Sequence, residues 1–290
     1  AVCTDVFGQR SNKSLALPST TLWGALRMGK WTRRAVLSAG VVGGTGLMVG
    51  VSVRPGNPTE TAGHLVAGEG ESLLHIFLKI DSDNRATAIL PHSEMGQGAQ
   101  TALTQMLAEE LDADWNLIQF VEAPAEAAFA NYAFGRGYLF KGVEFPDAIV
   151  PTVDGLVMKL ADSMGMQVTG GSMSIRATGQ YCVRAAGASV REMLVKTAAK
   201  GWGVPAREIR TEKSKLYHDK SGRSAAYAEV AAAAAQITPS STPKLKKTSE
   251  FSVMGQSKQR LDIPSKVDGT AIFAMDVKRP GMLYAAVRRS

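Results

Sequence analysis

The residues best suited to chemistry form a short glycine turn, Met95-Gly-Gln-Gly98, between a predicted strand and a predicted helix. Gly96 and Gly98 allow positive φ and close approach of a ligand to the backbone, and amides at a helix start favour anions. The Gln97 amide donates and accepts hydrogen bonds, which suits the edge of a heterocycle. The turn therefore predicts contact with the phosphate or ring of a large cofactor. The alternative is an ordinary tight turn without a ligand.

A second segment, Gly170-Gly-Ser-Met-Ser-Ile-Arg176, has a similar character. Gly170, Gly171 and Ser172 precede Arg176, whose planar guanidinium suits bidentate phosphate contacts. We predict these four residues, like the first turn, to be cofactor-binding. The alternative is a loop with a surface arginine, because clusters of Gly and Ser also mark ordinary loops.

Two further side chains beside the first turn could act on a ligand, Glu94 as a base and His92 by contact. Glu94 is the only local carboxylate, but a general base must lie within hydrogen-bond reach of its proton. We therefore favour a carboxylate that caps the following helix or pairs with a neighbour. His92 could contact a ligand, but we favour a surface histidine at a strand end. The sequence thus predicts no catalytic residue in this chain.

Hydrophobic spacing predicts the elements that must position these residues. Strands are predicted over 75–80, 85–90, 117–121, 208–211, 215–218 and 284–289. Helices are predicted over 101–111, 147–166, 181–201 and 226–236, with a long aromatic loop over 123–146. The first helix has an apolar face formed by Leu103, Met106, Leu107 and Leu111. Residues 111–118 and 202–209 resemble each other, since each joins a helix to a strand through a turn. The pattern indicates an α+β fold with helices packed on mixed sheets.

Composition and charge exclude several classes of protein. The chain is 45% hydrophobic, which is typical of a globular protein. Its net charge of +7 is spread along the chain, so we predict no nucleic-acid binding. Cys3 and Cys182 are too few for an iron–sulfur cluster, which needs about four thiolates. No direct metal ligands are predicted either.

The N-terminal region resembles an export signal. Arg33 and Arg34 precede an uncharged, Gly-rich apolar stretch over 35–53, which is typical of a twin-arginine signal. We therefore predict a periplasmic protein. An uncleaved anchor is the alternative and the only predicted membrane contact, because the stretch barely reaches the roughly 20 residues of a membrane helix. Met28 is predicted to be the native start, so residues 1–27 are predicted to be a non-native upstream segment.

Three blocks in order resemble the large (beta) subunit of isoquinoline 1-oxidoreductase, in the xanthine oxidase and aldehyde oxidase group of molybdenum hydroxylases. The first block reads Pro91-His-Ser-Glu-Met-Gly-Gln-Gly-Ala-Gln-Thr-Ala-Leu103, followed by Ala108-Glu-Glu-Leu-Asp-Ala-Asp-Trp115. The second reads Gln167-Val-Thr-Gly-Gly-Ser-Met-Ser-Ile-Arg176, with Arg184-Ala-Ala-Gly-Ala-Ser-Val-Arg-Glu-Met-Leu194. The third, Lys266-Val-Asp-Gly-Thr-Ala-Ile-Phe-Ala-Met-Asp276 with 279–287, is similar to the opening of an α/β hammerhead domain. One departure is 177–182, where the family carries an aromatic or polar run.

The resemblance implies the large subunit of an exported enzyme that oxidises N-heterocycles or aldehydes with oxygen from water. It implies a molybdopterin-type molybdenum cofactor, shared with a C-terminal half that holds the catalytic base and is missing here. It also implies [2Fe-2S] clusters on a small iron–sulfur partner subunit. On this view the fragment alone is inactive. The alternative is an exported non-catalytic ligand-binding or docking protein, which would hold a ring compound with the aromatic residues of 129–145.

Composition and resemblance together predict the domain organisation. Linkers follow from runs of Pro, Gly, Ser and Thr, and an apolar run over 284–290 without a closing turn suggests truncation. The predicted segments are 1–27 (upstream), 28–53 (signal or anchor), 54–72 (linker), 73–237 (α+β part of the molybdopterin-binding region), 238–262 (linker) and 263–290 (truncated start of the hammerhead domain).

Overall fold

The computed structural model describes Thr59 and residues 62–289, apart from 131, 142 and 241. The strands are β1 (Glu71–His75), β2 (Leu78–Asp81), β3 (Ala86–Leu90), β4 (Ile118–Glu122), β5 (Arg210–Glu212), β6 (Lys215–His218) and β7 (Arg223–Ala226). The helices are α1 (Ala99–Leu111), α2 (Tyr132–Phe140), α3 (Val150–Ser163), α4 (Gly171–Thr178), α5 (Arg184–Trp202), α6 (Tyr227–Ala234) and α7 (Ile263–Val267). This confirms the predicted α+β class. The predicted segments 1–27 and 28–53 lie outside the described residues.

The larger sheet is mixed, as predicted, with strand order β1-β2-β3-β4. β2 pairs antiparallel with β1 and β3, whereas β3 and β4 run parallel because α1 crosses between them. Every residue of β3 is buried, so this strand lies at the centre of the core. The Gly-Gln-Gly turn leaves the end of β3 and leads into α1.

The prediction of one strand over 75–80 is wrong in part, because these residues span the turn of the first hairpin. The chain turns at Ile76 and Phe77, between β1 and β2. Both side chains are buried, at 5% and 4% exposure. An apolar run alone does not separate a strand from a buried turn, and here the turn itself packs into the core.

Helices α1 and α5 pack against each other beside the larger sheet. Leu103, Leu107 and Leu111 of the predicted apolar face are fully buried. A Cβ atom on Gly187 of α5 would lie 2.8 Å from the Leu107 carbonyl oxygen of α1. The glycine therefore permits the close approach of these two backbones.

The smaller sheet is antiparallel, in the order β5-β6-β7. Its first strand follows α5 as β4 follows α1. Each helix ends at a residue in the left-handed region, Asp112 (φ 54°) or Gly203 (φ 67°), and a short 3-10 turn then leads into a strand. The predicted likeness of 111–118 and 202–209 is thus confirmed in local structure.

The prediction of an aromatic loop over 123–146 is largely wrong. It contains a 3-10 turn at Ala127–Phe129 and the helix α2. Phe129 is fully buried, and α2 packs on α3 and α4. Helix–helix packing, which the local pattern does not reveal, orders this segment.

Residues 244–262, which we term the strap, lie along α1 from its C-terminal to its N-terminal end. The strap has little regular structure, as expected from its linker composition, but side chains of α1 hold it along its length. These contacts join Lys246 to Glu109 and Asp112, the Gln105 amide to the Val253 and Gln256 carbonyls, and the Leu261 amide to the Thr101 hydroxyl.

The strand expected over 284–289 is not formed. Among the residues described from 242 to 289 there is a short helix, α7, and 3-10 turns at Thr248–Glu250 and Ala274–Asp276, but no strand. A strand needs a partner for its backbone hydrogen bonds, and no described residue supplies one there. The start of a hammerhead domain stays a prediction. No helix within the described part of the chain has both the length and the apolar character of a membrane span.

Candidate functional site

The Gly-Gln-Gly turn has the backbone conformation that its glycines predict. Gly96 and Gly98 have φ of 95° and 77°, and Gly98 is the N-cap of α1. A Cβ atom on Gly96 would meet no other atom within 4 Å. The exposed side of the turn is therefore open to a ligand.

Glu94 organises the turn from within. Its Oε1 accepts hydrogen bonds from the Gly96 and Gly98 amides at 2.9 Å each, and its Oε2 accepts one from the Gln100 amide at 3.4 Å. This confirms that the carboxylate caps the following helix. The same geometry corrects one expectation, because these three amides bind Glu94 and are not available to an external anion.

Gln97 also takes part in the turn. Its Oε1 accepts a hydrogen bond from the Met95 amide, and its Nε2 donates to the Ser93 carbonyl at 2.8 Å. The side-chain amide is therefore folded back, and the backbone is the part of the turn that faces outward. Contact between Gln97 and a cofactor stays a prediction, and it requires the second Nε2 hydrogen or a different rotamer.

Arg260 of the strap clamps the turn from outside. Its guanidinium donates to the Gly96 carbonyl at 2.8 Å and to Glu94 Oε1 at 3.2 Å. Asp262 accepts from the same guanidinium at 2.9 and 2.6 Å, and this contact holds the pKa of Asp262 well below its usual range. Sequence reasoning missed Arg260, which lies over 160 residues from Gly96 and Glu94 along the chain.

We expect Arg260→Ala to loosen the turn without unfolding the protein, because the clamp is partly exposed and Glu94 stays in place. Backbone amide exchange at Gly96 and Gly98 should become several-fold faster, as measured by hydrogen exchange with residue resolution. Lys258→Ala is the control, because Lys258 lies on the same strap and faces the Trp115 ring at 5.9 Å. Equal exchange in wild type and Arg260→Ala would contradict the clamp.

The second predicted segment forms the first turns of a helix, because α4 begins at Gly171. This corrects the expectation that the segment is a loop. Ser172 and Arg176 are exposed, and an exposed Arg176 agrees with the alternative of a surface arginine. The structure brings the segment against the first turn. The Ser93 amide donates to the Thr169 hydroxyl at 2.9 Å, and His92 Nε2 lies 2.8 Å from the Thr178 hydroxyl.

His92 is buried, at 3% exposure, and is not the surface residue expected. Burial lowers the pKa of His92, and a hydrogen bond with the backbone of Val168 partly offsets this lowering. The neutral imidazole thus joins the segment after β3 to Val168, which precedes α4, and to Thr178, the last residue of α4. Its role here is to hold the two predicted halves of the site together.

Arg176 lines a cavity of about 700 Å³ between α2 and α4. The remaining lining residues are Gly137, Tyr138, Lys141, Ala177, Gln180 and Tyr181. Gln180 and Tyr181 belong to a π-helical turn at Gly179–Val183, a local structure frequent at functional sites. Sequence reasoning missed Lys141, and it considered Tyr138 only among the aromatic residues of the alternative ligand-binding function, because the composition of this segment predicts a loop.

The residues present fit a cofactor that carries a phosphate. Arg176 and Lys141 have no ion-pair partner among the described residues, and both face one cavity. Arg176 would hold the phosphate, and the open Cα face of Gly96 would contact the ring. The part of the chain that the structure describes contains no cluster of three metal-ligating side chains.

Comparisons with known proteins identify relatives but no matching family model. The chain is 31% identical over 247 residues to the beta subunit of isoquinoline 1-oxidoreductase from Brevundimonas diminuta, covering 73% of this chain and 28% of that protein. It is 28% identical over 272 residues to the membrane-bound aldehyde dehydrogenase (pyrroloquinoline-quinone) of Gluconacetobacter polyoxogenes, covering 89% and 30%. It is 24% identical over 220 residues to a subunit of nicotinate dehydrogenase from Pseudomonas putida, covering 76% and 15%.

The chain thus spans less than a third of the length of each of these relatives. All three are oxidoreductases by name, and two are named as subunits of multi-subunit enzymes. The matches confirm the resemblance predicted from the three sequence blocks. The chain therefore resembles oxidoreductase subunits of the type that includes the beta subunit of isoquinoline 1-oxidoreductase.

Proposed function

We propose that this chain is part of the cofactor-binding region of the large subunit of an exported molybdenum hydroxylase. The observation that carries the proposal is the contact between two segments far apart in sequence. Residues that flank the glycine turn contact residues that flank the segment 170–176, through Ser93–Thr169 and His92–Thr178. The first segment presents the open Cα face of Gly96, and the second presents Arg176, which has no ion-pair partner among the described residues.

The cofactor, when bound, supplies the oxidation of an electrophilic carbon with oxygen from water. The chain's own residues bind and orient it. Glu94 and Arg260 hold the turn so that the Gly96 backbone faces outward, while Arg176 binds a phosphate. Glu94 is committed to three amides and one guanidinium, so the base that activates the reaction is proposed to lie outside this chain.

The substrate class follows from the names of the relatives, which specify isoquinoline, an aldehyde and nicotinate. We propose an N-heterocycle or an aldehyde as substrate. Electrons are proposed to leave through [2Fe-2S] clusters on a separate small subunit, since two cysteines cannot ligate a cluster. The twin-arginine segment supports a periplasmic location.

A matched pair of glycine substitutions tests the cofactor site. Gly96→Ala and Gly70→Ala both replace an exposed glycine with positive φ (95° and 78°) and open space at Cβ. Each should destabilise the protein by about 1–2 kcal/mol, the cost of left-handed φ for alanine. Only Gly96→Ala should also weaken cofactor binding, by roughly tenfold or more, because a methyl group then stands between ligand and backbone.

The measurement is equilibrium dialysis of the full chain and of each variant against isolated molybdopterin cofactor. Bound cofactor is measured by pterin fluorescence and by molybdenum content. Because the chain covers less than a third of its relatives, we expect weak binding that Gly96→Ala weakens further, by roughly tenfold or more, and that Gly70→Ala leaves intact. Pyrroloquinoline quinone is dialysed in parallel, since one relative carries that name. Binding of the quinone without the pterin, or equal effects of both substitutions, would contradict the proposal.

A further inference from the structure

We propose that the cavity between α2 and α4 binds the phosphate group of a ligand through Lys141 and Arg176, with an aromatic ring of the ligand beside Tyr138. The inference shares Arg176 with the proposed function and rests on that function only for the source of the phosphate. It adds Lys141 and Tyr138 as binding residues. Neither residue lies in the two glycine segments.

The charge of the cavity supports an anionic ligand. Among the described residues, its lining contains two cationic side chains and no carboxylate, and neither cation has an ion-pair partner there. Two like charges that line one cavity repel each other unless an anion lies between them. The cavity thus presents positive charge that the protein itself does not balance.

The neighbouring Arg136 shows the contrast. Its guanidinium is buried, donates to both Asp154 oxygens at 2.8 and 3.0 Å and lies 4.5 Å from the centre of the Tyr181 ring. Its charge is therefore balanced within the protein. Arg176 and Lys141 line the cavity beside the same ring, and no carboxylate in the described part of the chain pairs with either of them.

Close packing fixes the walls of the cavity. A Cβ atom on Gly137 would lie 2.7 Å from the Ala177 Cβ, so α2 and α4 touch at this glycine. Lys141 follows α2 in the left-handed region, with φ of 48°, and its amide donates to the Gly137 carbonyl. This uncommon conformation for a lysine directs the chain at the rim of the cavity.

The side chains favour phosphate over other anions. A guanidinium binds two phosphate oxygens in a fork, and an ammonium adds a point charge. Gln180 supplies a further donor in the same lining. The exposed Tyr138 ring, with 63% of its surface accessible, offers an apolar face for the ring of the ligand.

The test uses the full chain and inorganic pyrophosphate as the probe, titrated calorimetrically in a buffer free of other multivalent anions. The variants are Lys141→Gln and Arg176→Gln, with Arg207→Gln as the control, because Arg207 is an exposed arginine outside this cavity. We expect each cavity variant to weaken pyrophosphate binding about tenfold or more. The control should bind as wild type does, and thermal unfolding should confirm that all variants fold.

Competition between pyrophosphate and two pterins identifies the ligand that carries the phosphate. Displacement of pyrophosphate by molybdopterin cofactor, but not by an unphosphorylated pterin, identifies the cofactor as the ligand. If neither pterin displaces pyrophosphate, the cavity is a phosphate site independent of the cofactor, and the inference about the cavity is supported. Dialysis of the Gly96→Ala protein then tests the proposed function separately. Unchanged affinity in Lys141→Gln and Arg176→Gln, or no binding by wild type at millimolar pyrophosphate, overturns the inference even where the cofactor is bound.

Discussion

Glu109→Ala is expected to lower the free energy of unfolding by about 3–5 kcal/mol, because it breaks a buried charge pair and leaves the partners unpaired. The carboxylate is fully buried. Its Oε2 accepts from the amides of Ser252, Val253 and Met254 at 2.8, 2.6 and 2.9 Å, and its Oε1 accepts from Lys246 at 2.8 Å. One side chain of α1 thus holds the middle and one end of the strap.

Chemical denaturation of the full chain measures this effect. Glu212→Ala is the control, because this carboxylate is exposed and pairs with an exposed Arg210, so little change is expected. Limited proteolysis should cut the strap of Glu109→Ala faster than that of wild type, since its anchor is lost. A loss of stability no larger than that of the control would show that the strap is not held through Glu109.

The same carboxylate makes stability depend on pH. Burial acts to raise the pKa of Glu109, but the Lys246 ammonium and the three amides outweigh it and hold the pKa below its usual value. A carboxyl whose pKa is lower in the folded state than in the unfolded state stabilises the folded protein. Its full contribution is present at pH values above its unfolded pKa of about 4.3. This contribution is lost as pH falls through the lowered pKa. The stability difference between wild type and Glu109→Gln should therefore narrow below about pH 4.

Gly187→Ala is expected to destabilise the protein by about 1–3 kcal/mol, although alanine is the better helix former. The new Cβ would lie 2.8 Å from the Leu107 carbonyl oxygen and 3.1 Å from the Glu110 Cβ. The nearest atom belongs to the backbone of α1 and does not move aside as a flexible side chain would. The two central helices must therefore separate, and core contacts are lost.

Gly201→Ala provides a control of opposite sign on the same helix. Gly201 is exposed in the last turn of α5, has no positive φ and has open space at its Cβ position. This substitution should stabilise the protein by roughly 0.5–1 kcal/mol, since it lowers the entropy of the unfolded chain. Thermal or denaturant unfolding of both variants gives the comparison, and a Gly187→Ala protein as stable as Gly201→Ala would refute the tight packing of α1 on α5.

Local sequence determined much of the α+β core and one half of the candidate site. The spacing of Leu103, Leu107 and Leu111 predicted α1 to within two residues of its observed start at Ala99. Gly96 and Gly98 adopt the positive φ expected of a glycine turn. Glu94 caps the helix that it precedes. These features depend on residues a few positions apart, so a short window of sequence contains the whole interaction.

Tertiary structure alone decided the features that depend on distant partners. The clamp of Arg260 on Gly96 joins residues over 160 positions apart, and Glu109 meets the strap across more than 130 positions. Packing against α3 and α4 turned the predicted aromatic loop into α2, which brought Lys141 to the same cavity as Arg176. Sequence determined where a helix or turn forms because those interactions are local. Which charges meet, and which stay unbalanced at a cavity, is set by the path of the whole chain through space.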